Sequence, residues 1–264
     1  MSSIKKQLGQ NFLVDQNVVS DLIESARIDK NDVVLEVGAG EGAVTKGLAK
    51  TAGKVIAVEI DQDLIPQLKE NLKGAKNVEI VNEDILKLDP SRYTLATKIV
   101  GSIPYQITSP LIHKILKLKK RPESVTFIIQ KEVAEKIAAQ PPKATYLSNF
   151  VSHFGEARII RIIKPSAFRP APKVDSAILH IQLSTNHSSL ITHHYAALLH
   201  RGFASPRKMI KHRFPAAVLE QASIQSHLRP AHLSKEDWRN LYRALSRAHE
   251  RDKERRGGGT WVET

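Results

Sequence analysis

Apolar and polar positions along the chain change period from two to three or four and back again, the pattern of alternating strands and helices. Residues 33–37 carry four apolar side chains in five, three of them valine, which predicts a strand buried on both faces. Val44 and Leu48 then recur one helical turn apart in 43–50. The same exchange continues through strands predicted at 55–61, 77–82, 98–101 and 125–129, with helices at 107–118 and 131–139. Ahead of them, Asp15 is placed to cap a helix whose stripe is Val18, Val19, Leu22 and Ile23. Gln140-Pro141-Pro142-Lys143 breaks the pattern, and a further helix is expected around Tyr146, at 144–150. Residues 157–163 and 174–183 read as two strands with no helix between them. Such a pair predicts an antiparallel hairpin closing an otherwise parallel seven-stranded sheet. In 174–183, Ile178, His180 and Gln182 alternate with Ala177, Leu179, Ile181 and Leu183.

Beyond the last strand the texture changes. Residues 184–189 are polar and read as a linker. Tyr195, Leu198 and Leu199 open a helical segment, 207–213 is basic, and 234–248 is helical with Ser234 and Asp237 in a capping pattern. The expected organisation is an α/β domain over 1–184 and a small basic helical domain over 185–264, ending in a disordered Arg-Gly tail at 255–260. The stretch 5–13 reads as a basic, irregular arm able to close over a ligand.

Composition sharpens this. The chain has 264 residues, enough for one large domain and a small one, and its 41% hydrophobic and 25% charged content is that of a globular protein. No apolar run approaches the roughly 18 residues of a membrane span, and the first residues lack the apolar core of a secretory signal. With no cysteine there is neither a disulfide nor a thiolate zinc site, and no metal is expected. The location expected from this is cytoplasmic. The net charge is +13, and 201–256 alone holds 14 Lys and Arg against 6 Asp and Glu. A polyanion such as RNA is the natural partner.

The candidate chemistry lies where strands end. Gly38, Gly40 and Gly42 follow the first buried strand and let the backbone turn and approach a ligand closely. Their spacing is G-x-G-x-G rather than the G-x-G-x-x-G of dinucleotide sites, and no Arg or Lys lies among them to meet a pyrophosphate. The second strand, 55–61, closes with the acids Glu59 and Asp61 about twenty residues after the first glycine, where a carboxylate can accept from both ribose hydroxyls. A nucleoside bearing a cationic group fits this loop better than a phosphate, which points to S-adenosylmethionine. Glu83-Asp84 after the third strand offers a carboxylate to an adenine amino group or serves only as a cap. Ser102-Ile103-Pro104-Tyr105 ends the fourth strand. A polar side chain and a backbone carbonyl there can accept hydrogen bonds from an exocyclic amine, favouring a pyramidal nitrogen. Pro104 stiffens the turn, and Tyr105 can stack on a flipped-out base.

Taken in order, Gly9-Gln10-Asn11-Phe12-Leu13, the glycine loop, Val58-Glu59-Ile60-Asp61, Glu83-Asp84, the Pro-Tyr turn and Phe168-x-Pro170-x-Pro172-Lys173-Val174-Asp175-Ser176-Ala177 resemble the KsgA-type ribosomal RNA adenine dimethyltransferases. Arg207-Lys208 and the region from Arg229-Pro230 to Leu245 resemble that family's C-terminal helices, so the likeness covers nearly the whole chain. The resemblance implies a Rossmann-like S-adenosylmethionine-dependent methyltransferase fold. It implies dimethylation of N6 of two adjacent adenosines near the 3′ end of small-subunit rRNA, in an immature ribosomal subunit; separately, no membrane partner is expected, and nothing in the sequence suggests more than a monomer. It also implies that Asn11, Leu13, Gly38, Gly40, Glu59, Asp84 and Ser102 line the cofactor site. Ser102, Pro104 and Tyr105 would hold the target amine and base, and Phe168 would stack on the opposite face. One departure stands out: Ser102 occupies a place where the family usually has Asn, which leaves a shorter side chain to hold the nitrogen. Two further readings stay open, a large-subunit rRNA methyltransferase of the macrolide-resistance type and a ribosome-assembly factor that binds without methylating.

Overall fold

A computed structural model describes residues 10–184 and 189–255. The start of the basic arm at 5–9, the linker at 185–188 and the tail from 256 lie outside the described residues. Five parallel strands carry the fold: β2 (Val33–Val37), β3 (Lys54–Glu59), β4 (Val78–Asn82), β5 (Lys98–Ser102) and β6 (Ser124–Gln130). With β7 (Gly155–Ile163) and β9 (Ser176–Leu183) they form one sheet in the order β4-β3-β2-β5-β6-β9-β7. The helices between them include α1 (Gln16–Ala26), α2 (Ala43–Thr51), α4 (Pro90–Leu95), α5 (Thr108–Leu116) and α6 (Lys131–Ala138). Asp15 caps α1 by accepting from the Asn17 N–H at 2.9 Å, and Val18, Val19 and Leu22 enter the core.

The two last strands are antiparallel, in the way their direct connection predicts. The final strand, however, inserts between β6 and β7 and leaves β7 at the edge. Its alternating pattern reads as half-exposed, yet all of β9 except Gln182 is buried. His180 tolerates this position because its Nδ1 meets the Thr126 hydroxyl at 2.9 Å. β7 instead alternates, with Ile160 and Ile162 exposed on the free edge.

The arm is ordered sooner than its composition predicts. Phe12–Leu13 form a short strand, β1, paired antiparallel with β8 (Phe168–Arg169), so that Leu13 faces Phe168. The N–H groups of Val14 and Asp15 both donate to the Ala167 carbonyl.

The described residues fall into two compact units, one of 10–138 and 154–184, the other of 139–153 and 190–255. The second unit thus takes in α7 (Tyr146–Phe154) up to His153, together with α8 (Ser189–Phe203), α9 (Ala216–Gln221) and α10 (Lys235–Arg255). Reciprocal caps begin two of these helices. Thr145 and Ser148 exchange hydrogen bonds at 2.8 and 3.0 Å, and Ser234 and Asp237 do so at 2.8 and 3.1 Å. α10 runs seven residues beyond the expected end at 248. Trp238 is fully buried against α8, where Gly202 makes room for its ring. Among the described residues, no helix is long and apolar enough to cross a membrane.

Candidate active site

The strand order reverses between β3-β2 and β5-β6, and in open α/β sheets a ligand crevice forms at such a switch point beyond the carboxyl ends of the strands. A cavity of about 270 Å³ lies there. Its floor comes from the ends of β2, β3, β5 and β6, through Val37, Gly38, Val58, Glu59, Ser102 and Ile128. Its walls come from the loop after β4, the turn after β5, and the β1–β8 pair.

Gly38 and Gly40 adopt φ of +74° and +56°, a left-handed backbone that side-chain-bearing residues rarely accept. A Cβ on Gly38 would stand 3.2 Å from the Ser102 carbonyl oxygen, and one on Gly40 would meet the Phe12 ring at 3.4 Å. The loop is therefore kept bare so that β2 and β5 can converge beneath a ligand. Glu59, 5% exposed, holds the loop in place. Its Oε2 accepts from the Gly40 N–H and its Oε1 from the Asp61 N–H, both at 2.8 Å. Each oxygen keeps a second lone pair for a ligand hydroxyl. Burial raises the Glu59 carboxyl above its usual range, an effect these two backbone donors oppose.

Glu36 lies one residue before the end of β2 and is 1% exposed. Burial pushes its carboxyl up to about 7, partly offset by Thr45, with the nearby Glu59 charge adding to the rise. Its Oε2 has no hydrogen-bond partner among the described residues.

Across the cavity, Asp84 caps its own turn. Its Oδ1 accepts from the Leu86 N–H at 2.9 Å, and its carbonyl accepts from Lys87 and Leu88. On the arm side, the Gln10 side-chain amide donates to Asp61 Oδ2 at 2.6 Å. Residues 10–15 therefore run from Asp61 to the β8 side of the cavity, with Asn11, Phe12, Leu13 and Val14 among its lining.

Of the residues singled out in the sequence, Asn11, Leu13, Gly38, Gly40, Glu59, Asp84, Ser102, Pro104 and Phe168 all line this one cavity. Tyr105 opens the one-turn 3₁₀ helix Tyr105–Ile107, between the lining residues Pro104 and Gln106. Several lining residues had no separate signal in the sequence. Gln10 and Phe12 sit inside the arm motif but carry no charge or periodicity that marks them. Ile60 lines the cavity while 50% exposed, offering an apolar face beside Glu59. Its position between two acids at a strand end was the available clue.

The electrostatics are one-sided. Glu41, Glu59, Glu83 and Asp84 line the cavity, and no Lys, Arg or His does so among the described residues. Nothing here suits a phosphate, whereas a nucleoside carrying a positive group meets hydrogen-bond acceptors and favourable charge. The bare glycine cradle and the doubly tied Glu59 fit an adenosyl sulfonium.

The sequence model of a family described as "Ribosomal RNA adenine dimethylase" matches residues 1–247. A protein named ribosomal RNA small subunit methyltransferase A from Alkaliphilus oremlandii (strain OhILAs) is 41% identical over 189 residues, covering 67% of this chain and 65% of that protein. One of the same name from Clostridium botulinum (strain Kyoto / Type A2) is 42% identical over 181 residues, with 67% and 66% covered. The chain thus spans just under two thirds of the length of these curated relatives. Among solved structures, a dimethyladenosine transferase from Plasmodium falciparum aligns with a TM-score of 0.80 at 25% identity, covering 90% of this chain and 98% of the other. The 23S rRNA methyltransferase ErmE aligns at 0.75 and 29% identity, covering 89% and 100%.

Proposed function

The chain belongs to the ribosomal RNA adenine dimethylase family, and from that premise we propose that it methylates N6 of adenosine in small-subunit rRNA with S-adenosylmethionine as donor. The observation that carries this reading is the cavity lined, among the described residues, by four carboxylates and no Lys, Arg or His, in a protein of net charge +13. An acidic pocket suits a cationic donor, and a basic exterior suits an RNA acceptor. Two adjacent adenosines near the 3′ end of the rRNA, in an immature subunit, are the proposed targets, and the enzyme acts as a monomer.

When bound, S-adenosylmethionine supplies an electrophilic methyl group on sulfur. Glu59 accepts from the ribose hydroxyls, Asp84 from the adenine amine, and Ile60 covers an apolar face of the nucleoside. Asn11 and Leu13 close the arm side. Ser102 and the carbonyls of the Ser102–Pro104 turn accept hydrogen bonds from the target amine, holding its lone pair toward the methyl carbon. Tyr105 and Phe168 hold the extruded base by stacking. No strong base is required: as the nitrogen–methyl bond would form and the sulfur–methyl bond break, the nitrogen would become cationic and acidic enough to pass its proton to water. Glu41, Glu59, Glu83 and Asp84 would attract a cationic donor more strongly than a neutral thioether product, which would favour exchange of the two.

The second unit is assigned to RNA binding. Arg207, Lys208 and Lys211 are exposed around the buried Ile210, so the loop is fixed while its cations face solvent. The test is transfer of labelled methyl groups into undermethylated small subunits, with large subunits and a Ser102→Ala variant in parallel. Incorporation into small-subunit rRNA, reduced about tenfold or more by Ser102→Ala, is expected. Label in the large subunit would favour the ErmE-like specificity, and tight binding without label would favour an assembly factor.

A further inference from the structure

The loop after β4 is gripped from behind by one lysine. Lys114 of α5 donates to the carbonyls of Leu86 at 2.7 Å and Leu88 at 3.0 Å, with the Ile85 carbonyl at 3.4 Å. An ammonium has three donors, and here all three are directed at one loop. Tyr93 of α4 completes the clamp. Its ring lies 4.9 Å from the ammonium, and its hydroxyl donates to the Ile85 carbonyl. Tyr93 is fully buried and Lys114 is half-buried, so neither contact is a loose surface encounter.

The consequence reaches the cavity. With the carbonyls of 85, 86 and 88 gathered toward Lys114, the stretch Glu83 to Leu86 lines the pocket. The turn itself is closed by Asp84, whose Oδ1 is committed to the Leu86 N–H. Oδ1 keeps one lone pair after this bond, so Oδ2 is the oxygen with the greater acceptor capacity toward a ligand. The direction in which Oδ2 points is therefore set by a turn whose far side Lys114 fixes.

We propose that Lys114 is a positioning residue that aims the Asp84 carboxylate at the exocyclic amine of the bound nucleoside, and so sets the site's preference for adenine. This rests on reading the cavity as the adenosyl donor site. A lysine that only stabilised the fold would weaken all ligands alike. One that aims Asp84 affects only ligands bearing the amine, because a 6-oxo base presents an acceptor to the carboxylate instead.

Calorimetry on the full chain with S-adenosylhomocysteine and S-inosylhomocysteine separates these cases. The wild type should prefer the amine-bearing ligand by roughly tenfold or more. Lys114→Met keeps the length and apolar stem but no donor, and should bring the ratio to about threefold or less. Lys114→Arg, which keeps charge and donors, should restore most of the preference. Asp84→Asn should lose it, and adding Lys114→Met to Asp84→Asn should change the ratio no further. An unchanged ratio in Lys114→Met overturns the proposal, whether or not both affinities fall together. If that variant does not fold, Tyr93→Phe serves instead. It deletes one bond to the same loop and should give an intermediate ratio, and a wild-type ratio there overturns the proposal. A wild type that binds neither ligand overturns the donor-site reading together with this inference, whereas a bound donor with an unchanged ratio overturns the inference alone.

Discussion

Glu36 and Glu59 show how burial divides two acids of one site. Glu59 could be read from the sequence, because an acid ending a strand twenty residues after a glycine loop has few other uses. Glu36 could be seen but not weighed, since its burial shows only once α2, which carries Thr45, packs beside it. Its carboxyl sits near 7 when folded, against 4.5 for the free side chain. Between those values the native state keeps a proton that the unfolded chain has lost. Stability therefore falls as pH rises from about 4.5 to about 7, and the loss is complete above that, amounting to about 3 kcal/mol at most. Glu36→Gln should remove this slope, so that its thermal midpoint gains on the wild type at pH 8 and much less at pH 5. Parallel melting curves at both pH values would show that Glu36 is not the titrating group. A second expectation concerns Glu59, whose oxygens tie down Gly40 and Asp61. Glu59→Ala should weaken donor affinity by about a hundredfold in calorimetry, as expected for losing charged hydrogen bonds and a preformed loop together. A change below about threefold would place the ribose elsewhere.

At the scale of elements, β2, β3, β5 and β6 were legible because a strand buried on both faces has no choice but an apolar run. The position of β9 was less so. Its alternation suits an exposed face, and only the sheet order, with β6 on one side and β7 on the other, reveals that it is an interior strand. β1 and β8 were invisible, since two residues make no period and their pairing spans 155 residues of sequence. They matter nonetheless, because they bring Phe12 over Gly40 and Phe168 to the cavity. Phe12→Ala should weaken donor binding by about tenfold while lowering the melting midpoint by only roughly 2–4 °C, because Phe12 is half-buried and lines the cavity. Equal losses in both would mean that the arm is merely structural. In the second unit, a Cβ on Gly202 would stand 2.3 Å from the Trp238 ring. Gly202→Ala should cost about 1–3 kcal/mol in denaturant unfolding, the usual penalty for overpacking. It should leave donor affinity intact, since all lining residues of the cavity belong to the other unit.

Over the whole molecule, charge is sorted by depth: acids line the cavity, and the excess of Lys and Arg lies outside it. This sorting was half legible, because the basic C-terminal fifth is plain in the sequence while convergence of Glu41, Glu59, Glu83 and Asp84 needs the sheet. The excursion of 139–153 into the second unit was hidden for a similar reason, since Gln140-Pro141-Pro142-Lys143 marks a break in the rhythm but not that the helix after it joins another unit. Affinity for rRNA should fall steeply with ionic strength, as it does for binding built on phosphate contacts. Donor affinity should change little over the same range. The account as a whole turns on the donor, and titration calorimetry with S-adenosylhomocysteine tests it most directly. The wild type should bind one equivalent, and Gly40→Val, which would drive a branched side chain toward Phe12 from a left-handed backbone, should bind none while keeping its native circular dichroism spectrum. Absence of any heat of binding in the folded wild type, or undiminished binding in Gly40→Val, would contradict it.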